Sequence, residues 1–176
     1  MGKKVAVIAV NPVNGSGLFQ YLEAFYENKI PYKTFAIDTT KDIKTNSGIS
    51  ISLDGVIADL KGEVNEFDAI LFSCGDAMIP GAQNNMQAMG DALALLATFD
   101  SQNKIIIGHC ASAIMFDKAG IINGKKVALH PLAKAAIANG IATDDHYMID
   151  QNVYTAQEEN NIHFLLPELL KVLQSV

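Results

Sequence analysis

The stretch that decides the fold is Lys104-Ile105-Ile106-Ile107-Gly108-His109-Cys110-Ala111-Ser112-Ala113. Its three consecutive isoleucines predict a strand buried on both faces, as strands of parallel sheets are. The apolar run stops at Gly108, and a helical pattern begins near Ala111 and ends at Gly120, a residue suited to a helix C-cap. We therefore expect Cys110 in a strained strand-to-helix turn, where the helix N-terminus favours the thiolate.

Strands alternating with helices are predicted along the rest of the chain. The strands are expected at residues 3–10, 32–37, 67–72, 105–107, 126–129, 147–149 and 153–155, and the helices at 18–28, 83–98, 111–120, 131–138 and 158–173. Alternation at residues 49–57, with the pair Asp54-Gly55, predicts a small β-hairpin insertion. The expected fold is α/β: a flavodoxin-like doubly wound parallel sheet with helices on both faces, forming one domain over residues 1–176.

Composition limits the classes of protein to which the chain can belong. It has 176 residues, of which 49% are hydrophobic and 18% charged, as in ordinary globular proteins. A net charge of −6 argues against a general nucleic-acid or anionic-membrane surface. The two cysteines lie far apart, with neither metal-ligand spacing nor a disulfide framework. We therefore expect a cytoplasmic, reducing location and no metal.

The loop at residues 11–17 is rich in asparagine, glycine and serine and connects a strand to a helix. Such loops present backbone N–H groups and a helix dipole to anions. The predicted ligand residues in this loop are Asn11, Asn14, Gly15, Ser16 and Gly17. The loop is similar to the phosphate loop of flavodoxins, which makes FMN or another phosphate-bearing ligand a candidate. The alternative is a flexible turn capped by Ser16.

Ligands of doubly wound folds bind outside the carboxyl ends of the strands. Residues 73–81 and the Cys110 turn are predicted to meet the loop at residues 11–17 there. Asp76 is therefore a further candidate for ligand contact. His109 should point away from Cys110 along an extended backbone, yet it is a candidate for ligand contact at the mouth of a cleft. Cys74 is expected to be inert core at a strand end, with a possible role in resolving an oxidised Cys110.

Four segments, in their order along the chain, resemble the ThiJ/PfpI superfamily, which includes the parkinsonism-associated deglycase and intracellular proteases. They are Gly81-Ala82-Gln83-Asn84, His109-Cys110-Ala111, Gly120-Ile121-Ile122-Asn123-Gly124-Lys125-Lys126-Val127 and His130-Pro131-Leu132-Ala133-Lys134. The resemblance implies that Cys110 is the nucleophile and that His130 lies close to it. It also implies an oxyanion pocket made by the N–H groups of Gly75 and Ala111, no required cofactor, and a homodimer.

The chain departs from the family pattern at two places. Many members carry a glutamate that hydrogen-bonds the cysteine, whereas the matching stretch here, Asn14-Gly15-Ser16-Gly17, has no carboxylate. The family's Gly-Gly pair becomes Cys74-Gly75-Asp76. Three functions therefore stay open. They are a cysteine-dependent hydrolase acting on a small carbonyl or acyl substrate, a binding protein for a phosphate-bearing ligand, and a non-enzymatic redox or stress-response protein in which Cys110 is oxidised.

Overall fold

The computed structural model describes residues 2–78 and 85–176. In chain order its strands and α-helices are β1 (Val5–Ala9), α1 (Gly15–Glu27), β2 (Tyr32–Ala36), β3 (Asp42–Lys44), β4 (Ser50–Ser52), β5 (Gly55–Val56), α2 (Ile57–Glu63), β6 (Ala69–Ser73), α3 (Met86–Ser101), β7 (Ile105–His109), α4 (Ser112–Lys118), β8 (Lys126–Ala128), β9 (Ile141–Thr143), β10 (Tyr147–Asp150), β11 (Val153–Ala156) and α5 (Ile162–Gln174).

Seven strands form the main sheet in the order β10-β11-β7-β6-β1-β2-β5. Every pair is parallel except β10 with β11 at one edge. Helix α1 contacts α5, whereas α3 contacts α2 and α4, so the helices form two layers. Strands β1, β6 and β7 are buried throughout because both of their faces are covered. The predicted flavodoxin-like doubly wound fold is confirmed.

The predicted hairpin insertion exists, but the turn assigned to it is wrong. Strands β3 and β4 form an antiparallel pair, with Ile43 opposite Ile51. The Asp54-Gly55 pair instead leads into β5, which lies beside β2 in the main sheet. The reason is a long-range contact, since the Asp54 carboxylate accepts hydrogen bonds of 2.8 Å from both the N–H and the hydroxyl of Thr34 on β2.

The helix predicted at residues 131–138 is also wrong in type. Residues Pro131–Ala136 form a 3-10 segment, and its first turn is capped by the His130 side chain, which accepts the Leu132 N–H. The following backbone N–H groups donate to the carboxylate of Asp117 instead of continuing the helix. The chain then enters β9, a strand that was not predicted and that pairs in parallel with β8.

Strand register brings the ends of three central strands together. Ala9 on β1 is level with Ser73 on β6, and Phe72 on β6 is level with Gly108 on β7. Cys74 directly follows β6 and Cys110 directly follows β7, so both cysteines lie at the carboxyl edge of the sheet on neighbouring chain segments. No helix in residues 2–78 and 85–176 has the length and apolar character needed to cross a membrane.

Candidate functional site

The backbone turns sharply at Cys110, between the end of β7 and the start of α4. Cys110 has a φ of 55°, in the left-handed region. This conformation costs a residue with a side chain about 1–2 kcal/mol, so neighbouring contacts must hold it. The Cys110 N–H donates to the Ala156 carbonyl at 3.3 Å, and the Cys110 carbonyl accepts the His130 N–H at 3.2 Å. The predicted strand-to-helix turn is therefore anchored by the segments that follow it in the chain.

Ser112 fixes the turn from the other side. Its buried hydroxyl donates to the Phe72 carbonyl at 2.9 Å and accepts the His109 N–H at 3.3 Å. Gly108 allows α4 to pack this close, because a β-carbon there would lie 2.6 Å from Ser112 Cβ and 2.7 Å from Phe116 Cζ. The sequence analysis missed the role of Ser112. The sequence feature that could have revealed this role is a hydroxyl residue at the first position of α4, directly before the apolar residues 113–116.

The sulfur of Cys110 is only partly buried, and its surroundings favour the thiolate. A hydrogen bond from the Cys74 thiol is the largest influence and lowers the pKa of Cys110. Burial raises that pKa, the Ala111 N–H lowers it, and the negative charges of Glu159 and Glu158 raise it. The net result is a pKa below the ordinary thiol value. A partly exposed cysteine in such surroundings has the character of a reactive nucleophile.

Cys74 has the opposite character. It is only 2% exposed, and its sulfur lies 3.3 Å from the His109 carbonyl oxygen and 3.6 Å from His109 Nε2. The hydrogen bond with Cys110 and, after it, burial raise the pKa of Cys74 well above the ordinary value. Of the two thiols, Cys110 is therefore the first to lose its proton, while Cys74 keeps its own. The expected burial of Cys74 is seen, and its thiol contacts the reactive sulfur.

His109 is buried, not exposed at the mouth of a cleft. Only 1% of the residue is accessible, and its ring packs against Tyr21 with 5.6 Å between the ring centroids. Burial lowers the pKa of His109 to about 4, so the imidazole is neutral near pH 7. Its Nδ1 has no hydrogen-bond partner within the described residues. Placing His109 at a cleft mouth was wrong because the sharp turn comes one residue later and leaves His109 in β7.

The predicted oxyanion donors lie on the two turns that meet at the cysteines. The Ala111 N–H already donates to the Cys110 sulfur. Gly75 follows Cys74 and packs tightly on the loop at residues 11–17, since a β-carbon there would lie 2.6 Å from Val13 Cα and 2.7 Å from Asn14 N. Within the described residues the Gly75 N–H has no acceptor. Their part in catalysis remains a prediction.

The loop at residues 11–17 caps α1 through Asn14 and not through Ser16. The Asn14 side chain accepts the Gly17 N–H at 2.6 Å, and its backbone N–H donates to the Cys74 carbonyl at 2.9 Å. Gly15 lies against Thr45, where a β-carbon would be 3.0 Å from Cγ2. The loop, residues 73–76 and the Cys110 turn thus meet as expected. Phosphate or FMN binding there stays a prediction.

Two further candidate ligand residues are paired within the protein. Asn11 donates to the Asp38 carboxylate at 2.8 Å and accepts the Lys44 N–H at 3.1 Å. Asp76 and Asn46 exchange two hydrogen bonds of 3.0 Å, one through the Asp76 carboxylate and one through its N–H. These contacts bind the β3–β4 hairpin, whose turn contains Asn46, to the loops at the strand ends.

His130 reaches the Cys110 turn through its backbone, while its ring is held by other groups. Nδ1 accepts the Leu132 N–H at 3.2 Å, which leaves the ring proton on Nε2. That Nε2 lies 3.7 Å from a carboxylate oxygen of Glu158, a residue the sequence analysis did not identify. Asp144, another carboxylate in this part of the chain, pairs with Lys134. Proton transfer by His130 remains a prediction.

Part of the predicted site lies outside the residues that the structure describes. The segment Gly81-Ala82-Gln83-Asn84 and the expected start of a helix at residue 83 lie outside them. The described part of α3 begins at Met86, where the Asn85 side chain accepts the Ala88 N–H.

In the described part of the chain, no group of three or more histidine, cysteine, aspartate or glutamate residues is arranged to hold a metal ion.

The main sheet is flavodoxin-like, and Cys110 lies at positive φ between the central strand β7 and the short helix α4. This combination defines a class of cysteine-bearing α/β proteins. The sequence model of the DJ-1/PfpI family matches residues 3–171, and the chain belongs to this family. The membership confirms the predicted ThiJ/PfpI resemblance.

Three similar proteins illustrate the range of the family. Protein ppBat from Bacteroides thetaiotaomicron is 58% identical, over 99% of this chain and 100% of its own length. A crystal structure described as the "putative protease I" from the same organism is also 58% identical, with a TM-score of 0.93 over 97% of this chain and 99% of that one. Drosophila melanogaster DJ-1beta shares the fold at 20% identity, with a TM-score of 0.86 over 99% of this chain and 91% of its own.

Proposed function

We propose that the protein is a cysteine-dependent hydrolase that acts on a small carbonyl or acyl substrate. The observation that carries the proposal is the environment of Cys110, a partly exposed residue at positive φ whose pKa is lowered by the Cys74 thiol and the Ala111 N–H. These donors stabilise a thiolate, which is the nucleophilic form of cysteine. Similarity to the crystal structure described as the "putative protease I" agrees with this class of reaction.

The catalytic cycle follows from these groups. The Cys110 thiolate attacks the carbonyl carbon, and the charge moves to the carbonyl oxygen. The N–H groups of Gly75 and Ala111 stabilise that oxyanion. The Ala111 N–H is released for this task because the sulfur loses its charge when it forms the new bond. The leaving group takes a proton from water, and the hydroxide so formed hydrolyses the thioester and releases the Cys110 thiolate. His130 holds this water through its Nε2–H and assists the proton transfer.

Cys74 takes the place of the glutamate that the family pattern predicts next to the nucleophile. A protonated group is required there, because a second negative charge would raise the pKa of Cys110. The Cys74 thiol meets this requirement, since its own pKa is raised by the hydrogen bond with Cys110 and by burial. The Cys74 thiol, which follows β6, thus replaces the carboxylate that the family pattern places near the start of α1.

We also propose that the protein is cytoplasmic and forms a homodimer. Both cysteines are free, as a reducing compartment would keep them. The dimer follows from the family resemblance. Light scattering of the purified protein tests it, and a mass equal to one chain would contradict it.

Turnover by Cys110 is tested with a panel of small aryl esters, thioesters and aldehydes. The wild type should turn over at least one member, and brief quenching should show an acyl group on the peptide that contains Cys110. Cys110→Ser should remove both signals. Gly90→Ala, on α3 where a β-carbon meets nothing within 4 Å, is the matched control and should retain full activity. Full turnover by Cys110→Ser would contradict the proposal.

A phosphate-bearing ligand such as FMN at the loop of residues 11–17 is the second candidate. It is favoured by the first turn of α1, which contains no acidic residue to repel an anion. FMN and inorganic phosphate should then raise the unfolding temperature, and Ser16→Asp should abolish the increase. No shift with either probe would exclude this candidate.

A further inference from the structure

We propose that peroxide-class oxidants join Cys110 and Cys74 in an internal disulfide, with Cys74 as the resolving cysteine and His109 as the proton acceptor. A separate structural observation supports the role of each of these three residues. Formation of the disulfide requires only that Cys110 reacts as a thiolate, and it requires no hydrolytic substrate.

The two cysteines are placed for a disulfide by strand register. Cys74 directly follows β6, Cys110 directly follows β7, and the two strands pair in parallel up to Phe72 and Gly108. Adjacent strands lie about 4.8 Å apart, which falls inside the range of about 4.4–6.8 Å between Cα atoms of disulfide-linked residues. Each thiol is the largest influence on the pKa of the other, as expected for neighbouring groups. A bond between them therefore requires little backbone movement.

The order of events follows from accessibility and charge. Cys110 is partly exposed and carries the negative charge of the pair, so it meets the oxidant first. Cys74 is 2% exposed and protonated, and a dissolved oxidant cannot reach it directly. Once Cys110 is oxidised to the neutral sulfenic acid, its negative charge no longer opposes loss of the Cys74 proton. Oxidation of Cys110 thus activates Cys74.

The chemistry balances in two steps. The Cys110 thiolate attacks one oxygen of hydrogen peroxide, the O–O bond breaks, and hydroxide departs into the solvent, where buffer protonates it. The product is a sulfenic acid on Cys110. The Cys74 sulfur then attacks the sulfenic sulfur, the S–O bond breaks, and the S–S bond forms. The proton of Cys74 joins the departing hydroxyl to make water. Two thiol groups are oxidised, and one peroxide is reduced.

His109 supplies the path for the proton of Cys74. Its Nε2 lies 3.6 Å from the Cys74 sulfur, and its neutral ring offers a lone pair in the tautomer that carries the proton on Nδ1. Burial keeps the ring neutral, so the proton passes on to the hydroxyl and does not remain on the imidazole. Gly17 makes the contact possible, because any side chain there would occupy the position of the ring.

The test uses the full-length protein and hydrogen peroxide at one equivalent, with free thiols then blocked by an alkylating reagent and the intact mass measured. The wild type should lose two hydrogen atoms, incorporate no blocking group, and yield one cross-linked pair of peptides containing Cys74 and Cys110. A thiol reductant should restore both free thiols. Oxygen atoms added to Cys110, with Cys74 still free, would overturn the proposal without any variant.

Two variants separate the roles. Cys74→Ser should accumulate one or two oxygen atoms on Cys110 and form no internal cross-link. His109→Phe keeps a buried ring but removes Nε2, and it should form the disulfide at least tenfold more slowly with a correspondingly larger fraction of oxygenated Cys110. An unchanged rate in a folded His109→Phe protein would remove His109 from the mechanism. Because no substrate is present, a failed hydrolase assay and a failed disulfide test are distinguishable.

Discussion

The imidazole ring of His109 occupies the space beside Gly17 that a β-carbon would fill. A β-carbon built on Gly17 would lie 2.8 Å from His109 Cε1 and would overlap Nε2. The same Nε2 is the atom that contacts the Cys74 sulfur. The absence of a side chain at position 17 therefore allows a neutral histidine to support the cysteine pair from within the core.

Gly17→Ala is expected to displace the His109 ring and destabilise the protein. Overpacking of this kind costs about 1–3 kcal/mol in free energy of unfolding. Gly90→Ala is the control, because its β-carbon meets no atom within 4 Å and should stabilise α3 by about 0.5–1 kcal/mol. Urea unfolding of the two variants measures the difference. Equal stability of Gly17→Ala and wild type would show that the ring is not held as described.

The positive φ at Cys110 predicts an inverted preference between glycine and alanine. Glycine adopts this conformation without strain, so Cys110→Gly should be more stable than Cys110→Ala by about 1 kcal/mol. Ala113→Gly, at the second residue of α4, should show the reverse and lose up to about 1 kcal/mol relative to wild type. Thermal unfolding of the three proteins provides the measurement. A Cys110→Ala protein that equals or exceeds Cys110→Gly in stability argues against a strained turn.

Asp117 should stabilise the protein in a pH-dependent manner. Burial raises the pKa of its carboxyl, but the N–H groups of Ala138, Asn139 and Gly140 outweigh burial and lower it. The stabilisation is therefore fully present above the unfolded-state pKa of about 3.9 and is lost as pH falls through the lower folded-state value. Asp117→Asn should cost about 1–3 kcal/mol at pH 7, because the amide cannot accept as the carboxylate does.

Unfolding measured from pH 7 towards pH 2 tests this prediction, and the difference between wild type and Asp117→Asn should shrink over the acid range. Asp144→Asn is the control, since this carboxylate is exposed and pairs only with Lys134 at the surface. It should leave the stability close to that of wild type. A pH-independent difference for Asp117→Asn would contradict the assigned cause.

Central strands were predictable because their residues face two apolar layers. Ile105–Ile107 and the glycine that ends the run placed β7 and the Cys110 turn from sequence alone. The hairpin turn was misassigned because the Asp54 carboxylate bonds to Thr34, a residue distant in sequence. Strand β9 was missed because it has only three residues and is paired with β8, outside the main sheet. Contacts of that kind leave no periodic signal.

The reactive cysteine of the candidate site was predictable, whereas its partners were not. Cys110 stands at a break in an apolar run, which sequence shows directly. The contact between Cys74 and Cys110 depends on the register of β6 and β7, which no local pattern reveals. His109 was expected to point away from Cys110, and its contact with Cys74 and Gly17 became visible only with the strands in place.

The rate of Cys110 alkylation by iodoacetamide as a function of pH tests the central claim most directly, because only the thiolate reacts. Buried Cys74 should react slowly, and peptide mass analysis separates the two sites. In the wild type, the midpoint should lie well below the ordinary thiol value of about 8.5. Cys74→Ala should raise this midpoint. The midpoint of Cys74→Ser, which keeps a hydrogen-bond donor, should lie between those of the wild type and Cys74→Ala. A wild-type midpoint at or above the ordinary value, or one unchanged by Cys74→Ala, would contradict the account.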